Sequence, residues 1–329
     1  MPFEHRLCDI VLRLPLSLSS PSGPRGRLSI LIFHRVLRQH DPLVPDVPDA
    51  TQFEAQMRWV RSWFNVLPLS QAVQRLYVGD IPARALSITF DDGYADNEEI
   101  AAPILRRLGM TAAFFVSTGF LHGDTMWNDR IIEAVRGTAL NELDLRCHGL
   151  ATYNVASIEE RRRAITTLLS EIKRLEPDRR RLLTDAIAGH SGSAPKPSLM
   201  MRPHQLRCLR SMGMEIGAHT VTHPILTRLS LAEARHEIAQ SKETLEHLLD
   251  ERVELFAYPN GVPRDDYAAE HAALVQECGF ACAVSTAWGA ASMRSDRFQL
   301  PRFTPWDRNR LRYGARLLTN MRQAELTAT

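Results

Sequence analysis

Short apolar runs recur along this chain, separated by segments whose apolar residues return every three or four positions. The first run, residues 28–33, is apolar apart from Ser29 and ends in His34-Arg35. Phe53, Met57, Val60 and Phe64 follow at helical spacing, behind a Thr51-x-x-Glu54 capping-box pattern. Residues 65–69 read as a short strand and 70–77 as a helix stopped by Gly79. Residues 86–90 are mostly β-branched, aromatic or small and read as a strand buried on both faces. A helix is predicted over 97–108, with Gly109 at its C-cap, then a strand over 111–116. After a long polar interval the alternation resumes with a strand at 214–218. Ser230-x-x-Glu233 then opens a helix with Ala234, Ile238, Ser241, Leu245 and Leu248 on its inner face. A strand at 253–258, a helix at 266–278 stopped by Gly279, and a strand at 280–285 complete the series. Strand, helix, strand at this pitch is the pattern of a parallel sheet, and its repetition predicts an α/β barrel.

The polar interval, residues 137–203, is Arg-rich and helical. It reads as an insertion with too few apolar positions for a core of its own. Residues 21–26 read as a Pro/Gly/Ser linker. The expected organisation is an N-terminal helical and linker segment (1–27), a barrel domain (28–305) and a basic helical tail (306–329). A formal charge of +2 on 329 residues gives no reason to expect a nucleic-acid partner. Arg161–Arg163 and Arg179–Arg181 read as solvated helix faces. The five cysteines are scattered, which favours a reducing compartment over a disulfide framework. No run of 18 apolar residues is present, so no transmembrane segment is expected. In residues 7–18, Leu7, Ile10, Val11 and Leu14 have helical spacing. A core-packing helix is favoured there over a membrane-surface helix, and a cytoplasmic or membrane-surface location is expected.

Candidate chemistry gathers at the C-terminal ends of two strands. Asp91 and Asp92 end one of them before Gly93. Neighbouring strand residues face opposite ways, so one carboxylate can hold a metal while the other stays free as a base. His219 and His223, four apart after the 214–218 strand, can share one ion. With Asp92 they form a two-His, one-carboxylate set that leaves positions open for water. Zinc is the first expectation, and cobalt, nickel or iron suits the same donors. A rival Cys2His2 site using Cys278 and Cys282 is disfavoured, because both cysteines sit in ordinary helix-to-strand punctuation.

Thr89-Phe-Asp-Asp-Gly-Tyr94 and His219-Thr-Val-Thr-His223 resemble the first two motifs of the polysaccharide deacetylases, the NodB-homology carbohydrate esterases. The resemblance runs from about Leu28 to Pro305. It implies a distorted (β/α)7 barrel and metal-dependent removal of N-acetyl groups from an amino-sugar polysaccharide or its precursor. It makes Asp91 the general base and Asp92, His219 and His223 the metal ligands. The family's Arg-Pro-Pro-Tyr-Gly motif corresponds to Ala257-Tyr-Pro-Asn-Gly261, where the Asn260 N–H would help hold the oxyanion. Tyr258 and Tyr94 join it as expected oxyanion or substrate contacts.

Two departures stand out. Ala257 replaces the motif's arginine, and Arg302 is the candidate replacement, with a barrel-end salt bridge as its other role. No histidine follows His271, so the family's usual acid is missing, and His34 is the candidate substitute acid or substrate contact. Trp127 suits a sugar face, or simply starts a helix capped by Asn128 or Asp129. Two other functions stay open: hydrolysis of small cyclic amides or ureides on the same barrel, and saccharide binding without catalysis.

Overall fold

A computed structural model describes residues 12–189, 199–304, 306–323 and 326–328. Leu7, Ile10 and Val11 lie outside the described residues, as does most of the loop expected at the end of the polar interval. The strands are β1 (Leu28–Phe33), β2 (Asn65–Val66), β3 (Ala85–Phe90), β4 (Ala113–Val116), β5 (Glu142–Asp144), β6 (Thr152–Asn154), β7 (Glu215–Ala218), β8 (Leu255–Ala257) and β9 (Cys282–Val284). Seven of them form one parallel sheet in the order β1-β3-β4-β7-β8-β9, with β2 beside the start of β3.

The two edges of this sheet are joined by residues 300–303. Leu300 pairs with Val284 of β9 and Phe303 with Leu31 of β1. The Leu300 N–H donates to the Ala283 carbonyl at 2.9 Å, and the Phe303 N–H to that of Ile30 at 2.8 Å. This segment completes the distorted (β/α)7 barrel.

Alternation along the strands divides the apolar residues into two layers. Leu28, Ile30, Ala113, Phe115, Ala257, Val284 and Leu300 form the interior. Helix Leu69–Tyr77 adds Leu69, Ala72, Val73 and Leu76 to that cluster. Its first N–H groups, on Leu69 and Ser70, donate to the Glu215 carboxylate at 2.5 and 3.2 Å. The alternate residues, among them Phe33, Phe90, Phe114 and Phe256, pack outward under the surrounding helices. Phe90 stacks on Phe114 at 4.9 Å and on Phe33 at 5.5 Å.

Local expectations meet mixed outcomes. Ser230 and Glu233 form the predicted capping box. Helix Ala50–Trp63 is capped by Asp49, whose side chain takes the Gln52 N–H, so Thr51 lies inside the helix. The helix after Asp92 begins as a π-helical turn, Asn97–Ala101, before Ala102–Arg107. In the helix over residues 12–19, Leu12 and Leu16 are buried, while Leu14 faces out.

The expectation that residues 137–203 lack an apolar core is not met. Residues 123–200 with 40–47 form a second compact unit. Its cluster includes Leu143, Tyr153, Ile165, Leu168, Ile172 and Leu183. Leu43, Ile131, Ala134 and Val135, from outside the polar interval, complete it. No helix among the described residues is long and apolar enough to cross a membrane.

Gly217 on β7 tests how full the barrel is. A methyl there would lie 2.5 Å from the Phe115 ring and 2.9 Å from the Leu255 carbonyl oxygen. Gly217→Ala is expected to destabilise the protein by about 1–3 kcal/mol, read as a lower thermal midpoint. An unchanged midpoint would mean the interior can make room.

Candidate functional site

β3 and β7 deliver the acidic and imidazole groups to the same end of the barrel. Beyond Phe90 the backbone turns left-handed at Asp92 and Gly93, with φ of 76° and 88°. The turn lets two successive carboxylates face different partners. Asp91 and Asp92 are both buried.

Asp91 is gripped by Arg302. The guanidinium donates to both carboxylate oxygens at 2.7 Å, and also to the Thr89 hydroxyl at 3.1 Å and the Ser285 carbonyl at 2.7 Å. Arg302 is fully buried, and it comes from the segment that closes the barrel. The salt bridge expected of it is formed with Asp91, the base candidate itself. Burial alone would push the Asp91 carboxyl up. The Arg302 charge, with His219, more than reverses this and holds the group below the ordinary carboxylate range.

Asp92, His219 and His223 meet on the other side. One ligand atom from each lies within 4.8 Å of the others. The Asp92 Oδ1 atom is 3.4 Å from His219 Nε2 and 3.3 Å from His223 Nε2. That oxygen is buried without a hydrogen bond, a costly state that a shared cation would relieve. His219 Nδ1 lies 2.7 Å from the Ala257 carbonyl, which fixes the proton there and leaves the Nε2 lone pair to ligate an ion. Burial pushes the His223 imidazole down to about 4, so the ring is neutral near pH 7. Burial also lowers His219, but Asp91 and Asp92 outweigh it and raise that group. These donors fit a divalent metal ion. Among the described residues no other such cluster forms. Cys282 lies in the interior layer with its thiol pushed up to about 12, so the Cys2His2 alternative has no counterpart.

The loop between the histidines is held by a residue the sequence did not single out. The Glu237 carboxylate accepts the Val221 N–H at 2.8 Å, the Thr222 N–H at 2.9 Å and the Thr222 hydroxyl at 2.7 Å. Thr220 and His223 are left-handed, with φ of 62° and 56°. Such positions cost about 1–3 kcal/mol each and persist only when their surroundings impose them. Glu237 follows Glu233 on the same helix, and nothing in the local pattern sets it apart from a solvated acid.

His34 follows β1 and is exposed, near both Asp91 and Asp92. Its backbone is pinned from below. Asn97 donates to the His34 carbonyl at 2.8 Å, while Asp96 accepts Arg35 Nε at 2.8 Å and the Val36 N–H at 3.2 Å. Asp96 and Asn97 sit at the start of the π-helical turn, and nothing in the local pattern sets them apart from an ordinary polar helix start.

The remaining expected contacts divide. Asn260 is left-handed, with φ of 59°, and its carbonyl accepts the Thr286 hydroxyl at 2.7 Å. No acceptor among the described residues takes its N–H. Tyr94 is buried beneath Arg35, whose guanidinium lies 4.7 Å from the ring centre. Tyr258 is a correction. Strand alternation turns it outward into the core, stacked on Tyr267 at 3.9 Å with its hydroxyl donated to the Phe298 carbonyl, so its phenol does not line the site. Trp127 belongs to the second unit, where it heads helix Trp127–Gly137 beneath Arg180; the cap position is Met126, not Asn128 or Asp129.

Comparison with known proteins makes this barrel a hydrolase that deacetylates polysaccharides. A sequence profile described as polysaccharide deacetylase matches residues 79–283, and the chain belongs to that family. YxkH of Bacillus subtilis, named for the same family, is 22% identical over 282 residues, covering 84% of this chain and 71% of its own. The poly-β-1,6-N-acetyl-D-glucosamine N-deacetylase of Staphylococcus aureus is 24% identical over 174 residues, 51% of this chain and 59% of that protein. Among solved structures, the deacetylase PplD of Streptococcus pyogenes shares the fold. Its TM-score is 0.59 at 19% identity, over 90% of this chain and 98% of that one.

Replacing Glu237 by Gln removes part of the clamp on the histidine loop. Divalent-metal affinity is expected to fall roughly 10–100-fold, as for other residues that orient ligands. Competition with a chelating dye on metal-stripped protein measures this, and an unchanged Kd would remove Glu237 from the site.

Proposed function

We propose that this chain removes N-acetyl groups from an amino-sugar polysaccharide or its precursor, using a divalent ion held by Asp92, His219 and His223. One observation carries the reading: a buried carboxylate locked by Arg302 stands beside a three-donor cluster with an unsatisfied oxygen. The S. aureus relative, named for poly-β-1,6-N-acetyl-D-glucosamine, supports an N-acetylglucosamine-containing substrate. Zinc is the proposed ion, and cobalt, nickel and iron suit the same donors.

A bound ion would supply Lewis acidity toward the acetyl carbonyl and acidify a water molecule. Asp91 takes the proton of the attacking water while Arg302 keeps its carboxylate ionised and oriented. The Asn260 N–H donates to the oxyanion of the tetrahedral intermediate. His34 gives a proton to the departing sugar nitrogen, so the C–N bond breaks to acetate and a free amine. Arg302 supplies the guanidinium that Ala257 lacks, which supports catalysis over a binding-only role.

The test is acetate release from N-acetylglucosamine oligomers by metal-stripped protein re-supplied with zinc, cobalt or nickel. Activity is expected only with metal. Asp91→Asn is expected to lose about 10²–10⁴-fold in kcat while metal stays bound. Undiminished turnover in that variant would take Asp91 out of the mechanism. Metal binding without any acetate would move the reading to small cyclic amides.

Arg302→Met gives a pH test. Without the guanidinium, burial dominates and the Asp91 pKa rises. A base must be ionised to act, so the acidic limb of kcat/KM moves to higher pH. The variant is also expected to be less stable by about 3–5 kcal/mol, since a buried charge loses its partner. A less stable variant with an unmoved limb would mean that Arg302 serves the fold alone.

A further inference from the structure

The helix over residues 12–19 and helix Arg310–Asn320 pack side by side. Gly314 sits against Leu12 and Trp63, where a methyl would lie 2.6 and 3.3 Å from their side chains. Arg13 and Arg310 both donate to Ser62, at the end of helix Ala50–Trp63. Leu12, Leu16, Tyr313 and Leu317 bury their side chains in one cluster, so the opposite faces of both helices point outward.

Charge is segregated on these two stretches. Residues 12–27 and 306–323 carry the arginines 13, 25, 27, 308, 310, 312, 316 and 322 against a single acid, Asp307, in a chain whose net charge is only +2. Arg13, Arg25, Arg312 and Arg322 are exposed. Large apolar side chains lie among them: Leu14 is 66% exposed, Leu18 76%, Leu311 54% and Trp306 43%. Trp306 lies under the Arg316 guanidinium at 4.2 Å and beside Trp288 at 5.5 Å. Arginine interleaved with exposed leucine and tryptophan matches the boundary between anionic headgroups and acyl chains, whereas a purely solvated face has no use for the leucines.

We propose that this face docks on an anionic lipid surface, with the arginines on headgroups and Leu14, Leu18, Leu311 and Trp306 at the acyl boundary. The inference goes beyond the deacetylase reading and does not rest on it. Docking is read without turnover, so either can fail alone.

The experiment is flotation of the full chain with phosphatidylglycerol–phosphatidylcholine vesicles, with pure phosphatidylcholine vesicles and soluble heparin as comparisons. Binding to the anionic vesicles alone, weakened by salt, is expected. Arg312→Gln with Arg322→Gln should weaken it roughly fivefold for each arginine removed. Leu14→Ser with Leu18→Ser should weaken it with charge unchanged, and an unaltered thermal midpoint will show that these exposed changes leave the fold intact. Absence of flotation at low salt overturns the proposal. So does equal binding to heparin with no effect of the leucine changes, which would mark a site for a soluble polyanion.

Discussion

The buried pair between Asp91 and Arg302 is the constraint around which the barrel is arranged. An ionised carboxylate inside a barrel is costly unless a partner and further hydrogen bonds meet it. Arg302 meets both oxygens, and two of its three remaining N–H groups go to Thr89 and Ser285. The arginine can reach this position because residues 300–303 lie between β9 and β1. Closing the sheet and keeping Asp91 ionised are therefore one structural event. A barrel left open at this seam would also leave Asp91 without its partner.

The opposite half of the site is arranged by backbone. Asp92, Thr220, His223 and Asn260 are all left-handed, although none is glycine. Glu237 holds the histidine loop from one side, and the Gly119 N–H donates to the Val221 carbonyl from the other at 2.8 Å. Asp96 and Asn97 do similar work for the segment carrying His34. The groups that would meet the substrate are few, and each is held by a residue whose role is positional.

Much of this was legible in the sequence, and the exceptions share a cause. The strands that end in Asp91 and lead into His219 announce themselves because they are buried on both faces, and both motifs sit directly after them. Arg302 was a candidate only because an arginine was missing elsewhere. Residues 300–303 have no periodic pattern, so their part in closing the barrel could not be read. The second unit has no signature within the polar stretch because its core is completed by Leu43, Ile131, Ala134 and Val135, which lie outside it in the sequence. The motif around Tyr258 does not show which way its ring points, and strand alternation turns it outward. Glu237 acts across sixteen residues on the backbone of Val221, a contact with no local signature.

Helix Leu69–Tyr77 has a consequence for traffic. It seals the far end of the barrel with Leu69, Ala72, Val73 and Leu76, and Glu215 fastens it there. The interior between this helix and Asp91 is filled by side chains such as Leu28, Ile30, Ala113 and Phe115. Saccharide, water and released acetate would then share the opposite mouth, where β3 and β7 end. Each turnover would end only when the small product had left by the door through which the large substrate entered. A long glycan still lying across that opening would slow its own next cleavage.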